Sequence, residues 1–221
     1  MPIPPTLYAK SPLPRAPGQG ADIPLVGGHL ALDFLNSTPH HDGHDAADLL
    51  APGYVNVLDW AAAAGAITTE EIRPLTLLAG KEPREAAAVR RRLIALRGEA
   101  HPVVLALIHG NPPDCSLTVI NQEVTAAQDA RLLTLSAGAG HWQWTKARSL
   151  ERPLWEVSLA IGELLLQADQ LRIRQCDAPE CERVFLDTSR NGLRRYCSAS
   201  GCGTVERVRR FRKRQQASEQ T

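Results

Sequence analysis

From Tyr54 to Gln170 apolar side chains return mostly every three or four residues, the interval that gathers them on one face of a helix. Tyr54 to Ala64 reads as a short helix stopped by Gly65, and Thr69 followed by Glu70 and Glu71 reads as the capped start of another. Val89, Leu93, Leu96, Val103, Val104 and Leu107 set the helical face of Pro83 to about His109, where Gly98 and Pro102 predict a break into two pieces. A further helix is expected from near Pro113 to about Ala127. Pro153 to Gln170 carries the strongest pattern, with Leu154, Val157, Ile161, Leu164 and Leu165 on one side. Two β-prone runs, Arg131–Ser136 and His141–Lys146, are separated by Ala-Gly-Ala-Gly and predict a hairpin.

The segment from Leu25 to Asn36 is apolar but too short for its period to separate helix from strand, and Ser37 to Pro52 reads as a polar loop. Residues 1–20 hold Pro2, Pro4, Pro5, Pro12, Pro14 and Pro17, which exclude helix and central strand and predict an extended arm. The expected fold is mainly α with a β-hairpin (α+β). A multihelical domain over 21–170 precedes a small four-cysteine module with a basic helix over 171–217, and 218–221 form a tail.

Composition agrees with a globular chain: 43% apolar, 22% charged and 5% aromatic residues. No run of about 18 apolar residues could span a bilayer, and the Pro-rich start has no signal-peptide core, so no membrane association and a cytoplasmic location are expected. The net charge of +1 conceals a segregation. Residues 170–221 carry twelve basic and six acidic side chains, a net of +6, whereas 1–169 carry a net of −5.

Four cysteines supply the chemistry. Cys176 and Cys181 are separated by four residues, Cys197 and Cys202 by four, and fifteen residues lie between the pairs. Each pair can bring two thiolates to one cation, which suits a tetrahedral structural zinc with Zn–S bonds near ~2.3 Å. Two disulfides or an iron–sulfur cluster are the alternatives; the first fits poorly with a cytoplasmic chain, and the second more often uses other groupings. Asn191-Gly192 is expected to turn a hairpin between the pairs, with Val184, Phe185, Leu186, Leu193 and Tyr196 as a mini-core. Cys115 stands apart and reads as a small buried hydrophobe.

After Cys202, residues Thr204–Gln216 have helical periodicity, with Val205, Val208 and Phe211 on one face and Arg207, Arg210, Lys213 and Arg214 opposite. Residues 207–214 hold six basic side chains and no acid. Such a cluster asks for an anionic partner, and guanidinium groups suit phosphate and guanine, so DNA is the expected partner, extended by Arg190, Arg194 and Arg195. A protein with an acidic surface is the rival.

The body carries no Gly-rich phosphate loop, Ser-His-Asp signature or His-Glu-x-x-His helix, and no enzymatic activity is expected. His29, Asp33 and Asn36 are candidates to line a pocket for a small-molecule effector; as a buried cluster that fixes the fold by hydrogen bonds they need no ligand. His40, His41 and His44 with Asp42 and Asp45 read as a solvated loop sooner than a second metal site, and Trp142, Trp144 and Trp155 as core around the hairpin.

Cys176-x4-Cys181, Arg183-Val-Phe-Leu-Asp187, Ser189-Arg-Asn-Gly-Leu-Arg-Arg-Tyr-Cys197-Ser198 and Cys202-Gly203 before a basic helix resemble the CGNR zinc finger. Gly27-Gly-His-Leu-Ala-Leu-Asp-Phe-Leu-Asn36, with Leu58-Asp-Trp60-Ala and Gly65, resembles the ABATE domain that precedes that finger in bacterial stress-induced transcription regulators. The resemblance implies one structural zinc ion, a DNA-binding transcription regulator and a body that senses a ligand or partner. An enzyme with a purely structural zinc module, or a protein-interaction adaptor, is the alternative. Where the finger motif reads Cys-Gly-Asn-Arg, this chain has Cys202-Gly203-Thr204-Val205.

Overall fold

The computed structural model describes residues 23, 25–38, 48–110, 116–136, 138–146, 148–179 and 181–219. The expected Pro-rich arm, the His40–Asp45 cluster and Cys115 lie outside them.

The short apolar segment folds as helix α1 (Leu30–Leu35). His29 starts it: its Nδ1 accepts the Ala31 N–H at 3.2 Å, satisfying one of the donors that a helix start leaves open. Leu30, Ala31, Leu32, Phe34 and Leu35 are all buried, so α1 lies inside the molecule. Around it stand α2 (Tyr54–Ala63), α3 (Thr69–Lys81), α4 (Pro83–Ile108), α5 (Thr118–Asp129) and α6 (Arg152–Leu166). α6 packs on α5 and α1, and buries Leu154, Val157, Ala160, Ile161 and Leu164 almost completely. Burial of such side chains contributes roughly 1.5–3 kcal/mol each, which makes α6 the main post of the core.

The helix limits correct several expectations. Thr68, not Thr69, precedes α3, and its N–H donates to the Glu71 carboxylate at 2.9 Å. α4 runs unbroken through Gly98 and Pro102. Both residues lie on the exposed face, the side on which a helix tolerates the bond that Pro102 cannot make, while Leu96, Ala100, Val103 and Val104 stay buried on either side. α5 begins at Thr118, beyond the start expected near Pro113, and α6 ends at Leu166 instead of Gln170.

Buried arginines join the helices. Arg97 of α4 donates to the Ser37 hydroxyl at 2.7 Å and pairs with Asp48; Arg152 of α6 pairs with Glu71 and Glu156, both at 3.1 Å. Arg92 makes two bonds to Glu123 at 2.9 and 2.7 Å and a third to Glu151. Each guanidinium thus bridges separate segments, a geometry suited to its planar fork.

The predicted hairpin forms from β1 (Arg131–Ser136) and β2 (Ala139–Trp144), paired antiparallel with Leu133 opposite Trp142 and Ser136 opposite Ala139. Gly138 takes φ +80°, the left-handed conformation that a tight hairpin turn needs. Its tryptophans do not share one environment. Trp144 stacks on buried Trp155 at 5.2 Å, whereas Trp142 is half exposed under Arg131, so Trp142 is not core.

A second antiparallel pair, β3 (Ile173–Gln175) and β4 (Val184–Leu186), follows α6, and α7 (Cys202–Glu219) ends the described chain. Val184 is completely buried and belongs to the main core together with Leu32, Val104 and Leu154. Among the described residues no helix is long and apolar enough to cross a membrane.

Candidate metal centre and basic helix

The β3–β4 hairpin holds the first cysteine pair in its connecting loop. Cys176 follows β3 and donates its N–H to the Arg183 carbonyl at 2.9 Å, and the Cys181 N–H closes the loop on the Ala178 carbonyl at 3.0 Å. The hairpin expected between the two pairs therefore sits around the first pair. Asn191-Gly192 instead turns a loop, where Gly192 has φ +60° and packs against Arg172.

Asp187 organises that loop. Its buried carboxylate accepts from the Ser189 hydroxyl at 2.6 Å, the Ser189 N–H at 3.0 Å, the Arg194 N–H at 3.1 Å and Arg174 Nε at 3.1 Å. The Ser189 hydroxyl, the two backbone donors and the Arg174 charge hold its pKa below the usual carboxylate range. The loop then returns Cys197 to the first pair. Of the expected mini-core, Val184 and Phe185 are buried, Leu186 and Tyr196 are half-buried, and Leu193 is 73% exposed and not part of it.

All four Sγ atoms lie within 4.8 Å of one another. Cys181 and Cys197 sulfurs are 3.8 Å apart, and those of Cys197 and Cys202 3.7 Å. A tetrahedron with Zn–S bonds of ~2.3 Å has edges of about 3.8 Å, so the thiols fit one zinc ion and are too far apart for disulfides. An iron–sulfur cluster would bind the thiolates to different irons and spread them, which leaves the single-ion site. The Cys197 N–H points at the Cys176 sulfur at 3.4 Å, the kind of second contact that orients a thiolate ligand. Crowding also shows in the thiols themselves. Sulfur–sulfur contact pulls Cys176 far down and pushes Cys181 and Cys197 up, because adjacent thiolates need a cation to ionise together.

The last ligand, Cys202, is also the first residue of α7. Gly201 N–H donates to the Ser198 hydroxyl at 3.1 Å, and Gly203 N–H to the Ser198 carbonyl at 2.9 Å, so the start of α7 is tied to the turn after Cys197. Thr204, in the place of the motif's Asn, donates its hydroxyl to the Ala199 carbonyl at 2.9 Å. Val205, in the place of the motif's Arg, is 62% exposed. The metal centre thereby fixes where α7 begins and which way it leaves.

Beyond Glu206 every described side chain of α7 is exposed, including Val208 and Phe211, so its apolar face is open. Arg209 pairs with Glu206 at 2.9 Å, an acid just outside the basic run. Arg194, Arg195, Tyr196, Arg207, Arg210 and Arg214 line a common groove of about 370 Å³ between the loop and α7. Arg210 reaches the Tyr196 hydroxyl, Arg195 binds Asp177 at 2.6 Å, and Arg190 and Lys213 are exposed. Arg194 is placed differently. Its guanidinium lies 4.3 Å from the Phe185 ring centre and donates to the carbonyls of Tyr196 (3.0 Å), Cys197 and Val26.

His29, Asp33 and Asn36 lie in and around α1, and Asn36 reaches the cysteine module. Asp33 accepts the Gly27 N–H at 2.7 Å, and burial raises its carboxyl pKa to about 6. Asn36 donates its amide N–H to the Val184 carbonyl at 2.8 Å and accepts the Val184 N–H at 3.0 Å. Leu186 N–H adds a bond to the Gly27 carbonyl at 2.8 Å. All three polar side chains are thus engaged with backbone, and Asn36 fastens the cysteine module to the body. Periodicity could not reveal this seam; the unusual density of Gly, His, Asp and Asn within an apolar stretch was its visible trace.

Two family sequence models match the chain. The CGNR zinc finger matches residues 172–215, and ABATE, described as "Putative stress-induced transcription regulator", matches residues 28–168. No curated protein matches it.

Proposed function

This chain belongs to the ABATE family and ends in a CGNR zinc finger holding one structural zinc ion, and we propose that it is a cytoplasmic regulator of transcription that binds DNA through that finger. One observation carries the reading: an exposed helix with six cations starts at a zinc ligand and shares an arginine-lined groove with the finger loop. Arg190, Arg195, Arg207, Arg210, Lys213 and Arg214 supply the phosphate contacts, and Arg194 positions the loop that presents them. Zinc supplies no chemistry to DNA. It sets the origin and direction of α7, so that the cations form a surface and not a flexible tail.

The body has the part of a sensor in this reading. An effector or partner that shifts α1 would act on the finger directly, because Asn36 grips β4. Asn36, with Asp33 acting through Gly27, forms this coupling seam, while His29 caps α1, so the three serve the fold rather than an effector pocket. The family's role as regulator supports this over catalysis.

Anisotropy titrations of the zinc-loaded protein on duplex DNA at several salt concentrations test the proposal. Exchanging Arg207, Arg210 and Arg214 for Gln together should weaken binding to all sequences and lower the log–log salt slope by about 0.9 for each phosphate that is no longer neutralised. Zinc content should not change. Equal affinity and slope in wild type and variant would exclude α7 as the nucleic-acid surface and favour an acidic protein partner.

A further inference from the structure

The β1–β2 ribbon exposes apolar surface that neither the body nor the finger uses. Leu133, Leu135 and Trp142 are 64%, 82% and 52% exposed. The register puts all three on one face: Leu133 stands opposite Trp142 and Leu135 opposite Gly140, and both leucine side chains lean over Gly140. At the other end the ribbon is rigidly rooted. Trp144 stacks on Trp155, its indole N–H binds Glu156 at 3.1 Å, and Thr145 N–H binds the Ala130 carbonyl at 2.8 Å. Contiguous leucine and tryptophan surface in water on a firmly based ribbon marks an interaction site.

We propose that this ribbon face is the homodimer interface of the protein, packed against the same face of a second copy. Charge selects that occupant. From Leu132 to Gln143 the chain has no Asp, Glu, Lys or Arg, and it lacks the charged or Pro residues that usually guard an exposed strand edge. Arg131, at the root of the same face, is already engaged by Trp142 and Gln128, so a charged partner would find no free charge to pair with, whereas the uncharged remainder is complementary to itself across a two-fold axis. The exposed Val205, Val208 and Phe211 of α7 are another apolar patch among the described residues, but six cations flank them and would repel a second α7.

Area is sufficient as well. With large side chains offering roughly 150–250 Å² each, Leu133, Leu135 and Trp142 leave about 350 Å² of apolar surface open per copy. Interfaces are about 56–65% apolar, so such a core implies roughly 1,100–1,200 Å² buried in total, at the lower edge of specific complexes. Trp142 is the residue type that anchors such contacts. The dimer would carry two zinc-rooted helices, the arrangement that reads paired half-sites, although the interface does not depend on DNA binding.

Sedimentation equilibrium of the full zinc-loaded chain, over a range of concentrations, is the test. Wild type should fit a reversible dimer. Leu135→Glu should weaken it about tenfold or more, with helical content and zinc stoichiometry unchanged because the side chain is already exposed. Thr134→Lys, on the opposite face, should dimerise like wild type. Monomer at every concentration, a dimer indifferent to Leu135→Glu, or one abolished instead by Phe211→Glu would each overturn the proposal.

Discussion

Asn36 and Val184, 148 residues apart, exchange two hydrogen bonds at 2.8 and 3.0 Å, so that a side-chain amide on α1 completes the free edge of β4 in the zinc module. Both residues are buried, and Val184 fills the main core. Body and finger therefore share structure at this point, although 28–168 and 172–215 match different families.

Asn36→Ala should strand a buried N–H and a buried C=O. Each unsatisfied group costs about 1–3 kcal/mol, so a loss of roughly 2–6 kcal/mol in urea unfolding is expected. Zinc release to a chelator should accelerate in the same variant, since β4 positions the first cysteine pair. A variant with reduced global stability but wild-type zinc release would show that the seam does not support the metal centre.

Removal of zinc should be felt beyond the finger. In Cys197→Ser, or after chelation, β4 loses its anchor on the far side while Val184 still has to fill the body's core. Amide exchange should rise in β3 and β4 and also in α1, and the melting temperature of the helical signal should fall. Protection of α1 that stays at the wild-type level without zinc would show that the two parts are energetically separate.

The cysteine site was fully legible because four like residues at symmetric spacing specify one chemistry whatever surrounds them. The long helices were legible for the same reason: periodicity is local. Their ends were not, since Pro102 is tolerated only because it and Gly98 share the exposed face, a fact fixed by packing. Nor could spacing tell Arg194 from Arg195. Adjacent in sequence, both line the groove, but one is held by Phe185 and three carbonyls and the other by Asp177 alone. Gly27 is similar: a Cβ there would come within 2.7 Å of the Asp33 nitrogen and 2.8 Å of Leu32, a crowding visible only after α1 is folded.

Asp33 gives a pH signature. Its folded pKa of about 6 lies above the ~3.9 of an unfolded Asp, so the folded state holds the proton more tightly. That stabilisation is fully present below about pH 4 and is lost as pH rises through about 6, on the order of 3 kcal/mol. Asn at this position keeps the oxygen that accepts from Gly27. Asp33→Asn should therefore be as stable as wild type or more so at pH 7.5, and the difference should shrink on acidification towards pH 4. Unfolding curves of the two proteins across that range check it; a constant difference would show that Asp33 does not titrate there.

The two arginine roles separate in a final comparison, between Arg194→Ala and Arg207→Ala. Arg194 satisfies the carbonyls of Tyr196, Cys197 and Val26 and covers Phe185, so its loss opens the return loop that delivers Cys197 to the metal. Cation–π contact and charge-assisted hydrogen bonds each contribute about 0.5–3 kcal/mol, enough to predict faster zinc release and a lower midpoint in denaturant. Lys should not rescue it, because three carbonyls in different directions require the planar fork. Arg207 is exposed, so Arg207→Ala should leave zinc release and stability within about 0.5 kcal/mol of wild type. Its effect should appear only in the affinity for DNA and in the salt slope. DNA affinity would also fall in Arg194→Ala, but in proportion to the zinc released and restored by excess zinc. If both variants behaved alike in zinc retention, the division between a positioning arginine and a contacting one would be wrong, and the finger loop and α7 would have to be treated as one cooperative unit.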